Sequence, residues 1–404
     1  MFIRLVLGVS VVLIVMAVPA SAHVVSADAD LRVAQTISGT ELTVVIRRTP
    51  EVPGPLYVNL VAYQPVGDLT IDLAVGESAG TVRLWRSGTH PVVLHVQDTG
   101  PHELRLKTSA DYSVLPFEVR VPRPATWEMV VYGGFGVTGV MFAAALGMSR
   151  WRPAALGLGG VGVVAAIIAA TVAVLSPQLG ADTRDPGRPN AQGFLLVTPA
   201  QPRAGEEVTL RFDLVDGSTG LPVRDLAVHH DALAHLVITS QDGEFFRHVH
   251  PLRTPEGRLE TRLVPDRPGR YLAYLEVERV DAGGQRVSGS FEITGPPRAS
   301  PLRVASWTFP AGRPVTIEID TGTTGVQSWL GMAGHMITRD ATGDFLGHVH
   351  ESSMVSTSDG TVAEHGPKLC FSTSFPRPGR YFAWVQYVKE FQIVTVPHVI
   401  EVVR

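Results

Sequence analysis

Cysteine is nearly missing from this sequence: Cys370 is the one residue of its kind in 404. Intramolecular disulfides and zinc modules built on four cysteines are therefore excluded. Charge is sparse as well, at 18% Asp, Glu, Lys and Arg, against about 25% in soluble proteins. The net charge of −4 offers no basic footprint for nucleic acid. No G-x-x-x-x-G-K-[ST] stretch occurs. The G-x-G-x-x-G matches at Gly134–Gly139 and Gly157–Gly162 lie inside apolar runs rather than between a strand and a helix, so no nucleotide cradle is supported. No H-E-x-x-H is present. Gly76–Gly80 matches G-x-S-x-G, but a strand-like run follows it where a nucleophile elbow needs a helix.

What is present is unevenly placed. Hydrophobic residues are an ordinary 45%, yet the mean hydropathy is +0.17, which points to local apolar blocks. Residues 1–22 read as a signal peptide, with Arg4, an apolar stretch from Leu5 to Val18 and a small-x-small site at Ala20–Ala22. Cleavage there would make His23 the mature N-terminus. Trp127–Met148 and Ala154–Leu175 are each long enough to cross a hydrocarbon core of about 30 Å. The loop between them, residues 149–153, carries Arg150 and Arg152 and no acid, so it is expected in the cytoplasm with both flanking regions outside. Small residues at four-residue spacing (Gly139, Ala143, Gly147; Gly162, Ala166, Ala170) suggest that the two spans pack as a hairpin. A polar, Pro/Gly-rich linker, residues 177–190, follows.

The remaining chain reads as β-structure. Residues 23–123 hold alternating runs at Glu41–Arg47, Leu56–Ala62, Thr81–Trp85, Val92–Val96 and Phe117–Val121, as expected of an antiparallel sandwich. Residues 191–296 and 301–404 repeat one another: His235, His248 and His250 are answered by His335, His348 and His350, and Arg267–Tyr271 (RPGRY) by Arg377–Tyr381. The expected fold class is mainly β: three sandwiches, with a two-helix transmembrane hairpin between the first and second.

Ten of the fourteen histidines fall between 229 and 398. Asp242-Gly243 predicts a type I′ hairpin turn, which pairs Val237 with His248 and His235 with His250. Residues i and i+2 share a face, and directly opposed Cβ atoms lie about 5 Å apart. His235, His248 and His250 then project from one side with Val237 and Phe246, while Leu236, Phe245 and Val249 take the other. Thr342-Gly343 permits the same for His335, His348 and His350. Three imidazoles so placed suit copper, zinc or nickel, with copper highest in the affinity order. The competing reading is that these histidines are structural. His229, His230 and His365 are further ligand candidates, and Met332, Met336 and Met354 offer thioethers or core packing. Cys370 reads as a small buried hydrophobe.

On Asp225-Leu226, His229-His230, His235–Ile238, Phe245 and His248–Pro251, the first unit resembles bacterial exported YtkA/FixH-like domains. The second unit resembles them through Leu330–His335, His348–His350 and the Arg377–Tyr381 turn, but carries Glu351 where the first has Pro251. The resemblance implies Ig-like sandwiches associated with copper or heavy metals. His23 as a free N-terminus, with His90, His95 and His102, is similar to the start of CopC-type copper carriers. The expected protein is a non-enzymatic, membrane-anchored, extracytoplasmic metal-binding protein, with a copper ion as its cofactor and a copper transporter or envelope protein as its partner. The alternative is a non-catalytic envelope interaction module.

Overall fold

The computed structural model describes residues 31–47, 49–121, 126–179, 190–280, 282–300, 303–352 and 367–404. The signal peptide, His23, Met354 and His365 lie outside them. The described chain is mainly β, in six sheets whose strands pair antiparallel except Trp307–Pro310, which runs parallel to Gln392–Val403. Alternating runs become strands because one face of each finds an apolar partner.

In the N-terminal region, Leu31–Ile37, Thr40–Ile46, Gly54–Ala62 and Gly88–Val96 form one sheet. Ser78–Leu84, Leu69–Val75, Gly100–Lys107 and Tyr112–Val119 form the other. Leu42, Val44, Leu60, Ile71, Leu94 and Leu104 fill the space between. The strands at 31, 69 and 100 were not anticipated, because polar residues such as the buried Gln35 and the outward Asp72 and Glu103 break the apolar pattern.

Two helices follow, Thr126–Gly147 and Arg152–Leu179, both long and apolar enough to cross a membrane. The second is longer than expected at both ends. Pro153 suits a first helical turn, and the helix enters the stretch read as a linker. The expected packing stripe is corrected in part. Gly139 and Gly147 have no neighbour where a Cβ would stand. Instead a Cβ on Gly134 would lie 2.8 Å from that of Ala169, and one on Gly162 would press on Phe142 and Met141. Thr138 Oγ1 donates to the carbonyls of Gly134 and Gly162. Val140, Leu146, Ile167 and Val174 are exposed.

Beyond the helices, each repeat unit has its own core, around Leu210, Phe212, Leu236 and Tyr271 in the first and Ile317, Phe371, Val385 and Ile400 in the second. The RPGRY signature has a local cause: Tyr271 Oη donates to Arg267 O at 2.8 Å and Tyr381 Oη to Arg377 O at 2.9 Å, each fixing the entry to a long strand.

The two units meet through equivalent positions. Val237, Phe246, Leu272 and Tyr274 pack on Ile337, Leu346, Phe382 and Trp384, and Phe246 stacks on Trp384 at 4.5 Å. The Tyr274 hydroxyl donates to Gly343 O, Arg286 to Leu346 O, Gln241 to Ala341 O and buried Arg339 to Ser240 O and Gln241 O. The same surface used on both partners makes this an isologous contact within one chain. The N-terminal region docks on both units. Ala34 N donates to Asp231 O, Thr36 N to His250 O and Gln64 N to Phe391 O. Ala34, Val45, Val61 and Tyr63 share an apolar seam with Ala232, Trp329, Leu330 and Val388.

Replacing Trp384 with Ala removes a fully packed ring from this contact, at a cost of about 3–5 kcal/mol. Thermal unfolding of the full chain in detergent is expected to shift down by several degrees; an unchanged midpoint would show that the units do not depend on the stack.

Candidate metal centre

Both histidine hairpins have the expected register. Val237 pairs with His248, Ile337 with His348 and His335 with His350. The turns differ from type I′: of the central residues only Gly243 and Gly343 have positive φ. Gly243 N donates to Ser240 O, and Gly343 N to Asp340 O. Leu236, Phe245 and Val249 enter the core while Val237 and Phe246 join the contact between units. The histidine face is thus the face each unit turns towards the other, and the triads meet there as one cluster.

Within the first triad, His235 Nδ1 lies 3.3 Å from His248 Nε2 and 3.2 Å from His250 Nε2. The opposite nitrogen of each ring contacts an acceptor. His235 Nε2 donates to His229 O at 3.1 Å, His248 Nδ1 to Gln386 Oε1 at 2.9 Å, and His250 Nδ1 to Glu41 Oε1 at 2.6 Å. Gln386 Nε2 donates in turn to Thr395 Oγ1, which orients the amide. A neutral imidazole has one N–H; with each ring giving that proton to its outer acceptor, the inner nitrogens are left as lone pairs turned towards one another. Ligands about 2.0–2.1 Å from a tetrahedral ion stand about 3.3 Å apart, which is the spacing found here.

In the second triad, the ligand atoms also lie within 4.8 Å of one another. His348 Nδ1 donates to Glu276 Oε2 at 2.7 Å. His348 Nε2, His350 Nε2 and both nitrogens of His335 are buried with no hydrogen-bond partner among the described residues. Each such group costs about 1–3 kcal/mol unless something binds it. The residues present therefore fit an ion in either triad.

The outer contacts are exchanged between units. Glu276 pairs across the strands with His235 but bonds His348; Gln386 pairs with His335 but bonds His248. Two tight turns, His229–Ala232 and Trp329–Met332, close over the cluster with left-handed His230, Asp231, Leu330 and Gly331. His230 lies 4.0 Å from His350, ring to ring. Trp329 lies 5.3–6.0 Å from His248, His250 and His335. A cavity of about 260 Å³ opens onto the cluster, lined by His229, His230, His235, His348 and His350 with Glu276 and Glu278.

A domain of unknown function (DUF8832) matches residues 192–294 and 306–404, together half of the chain. The chain belongs to this family. Each DUF8832 unit therefore carries one triad, and the centre is built where two units meet. No curated protein matches the chain. Among solved structures, the Escherichia coli adhesin FdeC is similar at 11% identity and TM-score 0.19, covering 88% of this chain and 95% of its own. Escherichia coli alpha-2-macroglobulin is similar at 8% and 0.20, covering 90% and 33%. The bacterial integrin-binding protein invasin is similar at 9% and 0.17, covering 90% and 60%. At these scores the likenesses carry no weight beyond the sheets described above.

Other expected residues fare differently. His229 and His230 are brought to the cluster's mouth, where His229 Nδ1 contacts Glu278 at 2.6 Å. Met336 is fully buried in the second unit's core, and Met332 closes a turn through its backbone. His90 and His102 bond the carbonyls of Arg86 and Asp98, and His95 is exposed. Among the described residues the two triads are the groups that converge for a metal. Cys370 is half-buried, its N–H donating to Glu351. Glu41, Glu276, Gln386 and Trp329 were missed. Glu276 and Gln386 had left a signal, one polar residue at the same place in two otherwise apolar runs, YLAYLEV and YFAWVQY.

Burial, reinforced by the neighbouring imidazoles, holds His235, His248 and His335 well below the ordinary histidine value. The same causes, in the same order, lower His350 to about 3 and His230 to about 4. Burial raises Glu276, but the His348 hydrogen bond and charge bring it below the usual carboxylate value. Neutral imidazoles are what a metal requires.

For the metal-free protein the sign is clear. Below about pH 6.5 the unfolded chain takes up protons that the folded cluster refuses, at up to about 1.4 kcal/mol per pH unit per group. Stability is full above pH 6.5 and falls as pH drops towards 3. The thermal midpoint is expected to decline from pH 7.5 to 5; a flat profile would contradict neutral burial.

Proposed function

We propose that this chain is a non-catalytic, membrane-anchored extracytoplasmic protein that holds a transition-metal ion, copper first and zinc second, in its histidine cluster. The observation that carries this is the convergence of three ring nitrogens in the first triad, each ring held from behind by an outer acceptor. With the ring protons directed to those acceptors, an ion is what the inner nitrogens are placed to bind. Glu41 and Glu276 each hold a ligand imidazole and act as orienting groups. The resemblance to YtkA/FixH-like domains supports the choice of copper, and a copper transporter or envelope protein is the partner we propose.

The architecture fits this role as three Ig-like sandwiches with a helical hairpin between the first and second. A hairpin returns the chain to the side it left, and the contacts of Ala34, Thr36 and Glu41 with the first DUF8832 unit support a topology with both regions on that side. Signal-peptide cleavage and the Arg150/Arg152 loop complete a two-pass topology with residues 149–153 in the cytoplasm.

Titrating the solubilised chain with Cu(II) in a calorimeter is expected to give saturable binding. Changing His235, His248, His250, His335, His348 and His350 to Ala should abolish it; equal uptake by both proteins would sink the reading. For topology, Cys370→Ser with Arg150→Cys is expected to react with an impermeant maleimide only after cells are opened. Labelling of intact cells would place the loop outside.

A further inference from the structure

We propose that the two triads form one binuclear centre, holding two first-row metal ions close enough to couple magnetically, each on three nitrogens of one unit. This rests on the metal-binding reading above and goes beyond it, since a metal-binding chain with one triad per unit has no need to bring the sites together.

Four observations carry the proposal. Rings of opposite triads are as close as rings of the same triad: His248 to His348 is 5.1 Å and His235 to His348 is 5.5 Å, while within triads the separations run from 5.0 to 5.5 Å. Facing rings in contact leave no room for a protein side chain between two bound ions, and proteins that use paired ions hold them about 3.5–4 Å apart.

The second observation is the donor inventory. An ion in the first triad uses His235 Nδ1, His248 Nε2 and His250 Nε2. It leaves His335, His348 Nε2 and His350 Nε2 buried without partners, a second ligand set placed to take a second ion. Third, charge is matched triad by triad. Glu41 stands behind His250 and Glu276 behind His348, so each dication placed here has one carboxylate behind a ligand ring. Fourth, the exchanged contacts of Gln386 and Glu276 make each unit orient a ligand of the other, so that filling one triad orders a residue belonging to the next.

The test uses the full chain in detergent, loaded with Cu(II) sulfate and desalted, with bound copper measured by atomic absorption and paramagnetic copper by electron paramagnetic resonance. Two coppers per chain are expected, with less than half of the bound copper visible as isolated Cu(II) or with a half-field transition. Changing His348 alone to Gln, with circular dichroism to confirm the fold, should leave one copper at full spectral intensity. Two coppers at full isolated-ion intensity would overturn the binuclear centre and leave metal binding intact, as would saturation at one copper. No retained copper would overturn the metal-binding reading itself.

Discussion

Three imidazoles converge nitrogen to nitrogen inside a protein contact, and the remaining structure is arranged to keep them there. Left to themselves, three buried neutral rings would rotate or exchange protons until each lone pair met an N–H. Here each ring has already given its proton outward, to the carbonyl of His229, the amide of Gln386 and the carboxylate of Glu41. Those acceptors come from a tight turn, from the opposite DUF8832 unit and from the N-terminal region. The convergence is therefore held by three separate pieces of fold, each fixing one ring from behind.

Duplication explains why this is possible. A single unit exposes a histidine face flanked by Val237 and Phe246, or by Ile337 and Leu346, which neither sheet can bury alone. Two copies bury it against each other through equivalent residues, and the isologous geometry places equivalent triads opposite one another. The departures from symmetry lie in the surroundings. Glu41 backs a ligand of the first triad only, and the cavity beside His230 is lined by His348 and His350 together with His235.

The histidine pattern and the register of both hairpins were legible in the sequence, because period-two alternation and a glycine turn fix which side chains share a face. The apolar spans were legible by length. The meeting of the two triads was not, since nothing local says which surface a unit turns towards its copy. Even the clue, that Val237 and Phe246 accompany the histidines, read as a weakness in amphipathicity when it marked an interface. Glu276 and Gln386 were visible as repeated polar interruptions, but their action on the opposite unit needs the tertiary arrangement. Glu41 lies in an ordinary strand far away in sequence. The helix contact at Gly134 and Thr138 was missed because four-residue spacing defines several stripes on one helix, and only packing selects among them.

Under the metal-binding proposal, the bond between Glu41 and His250 would join occupancy of the centre to the position of the N-terminal region. An ion that polarises the His250 ring strengthens its N–H as a donor, so bound metal and docked N-terminal region favour each other, and by reciprocity whatever pulls that region away loosens the ion. The tether between them is the helical hairpin, which keeps the docking partner at high local concentration. Under the same proposal, a pull transmitted through the hairpin and an ion arriving at the cluster would act on the same equilibrium from opposite ends.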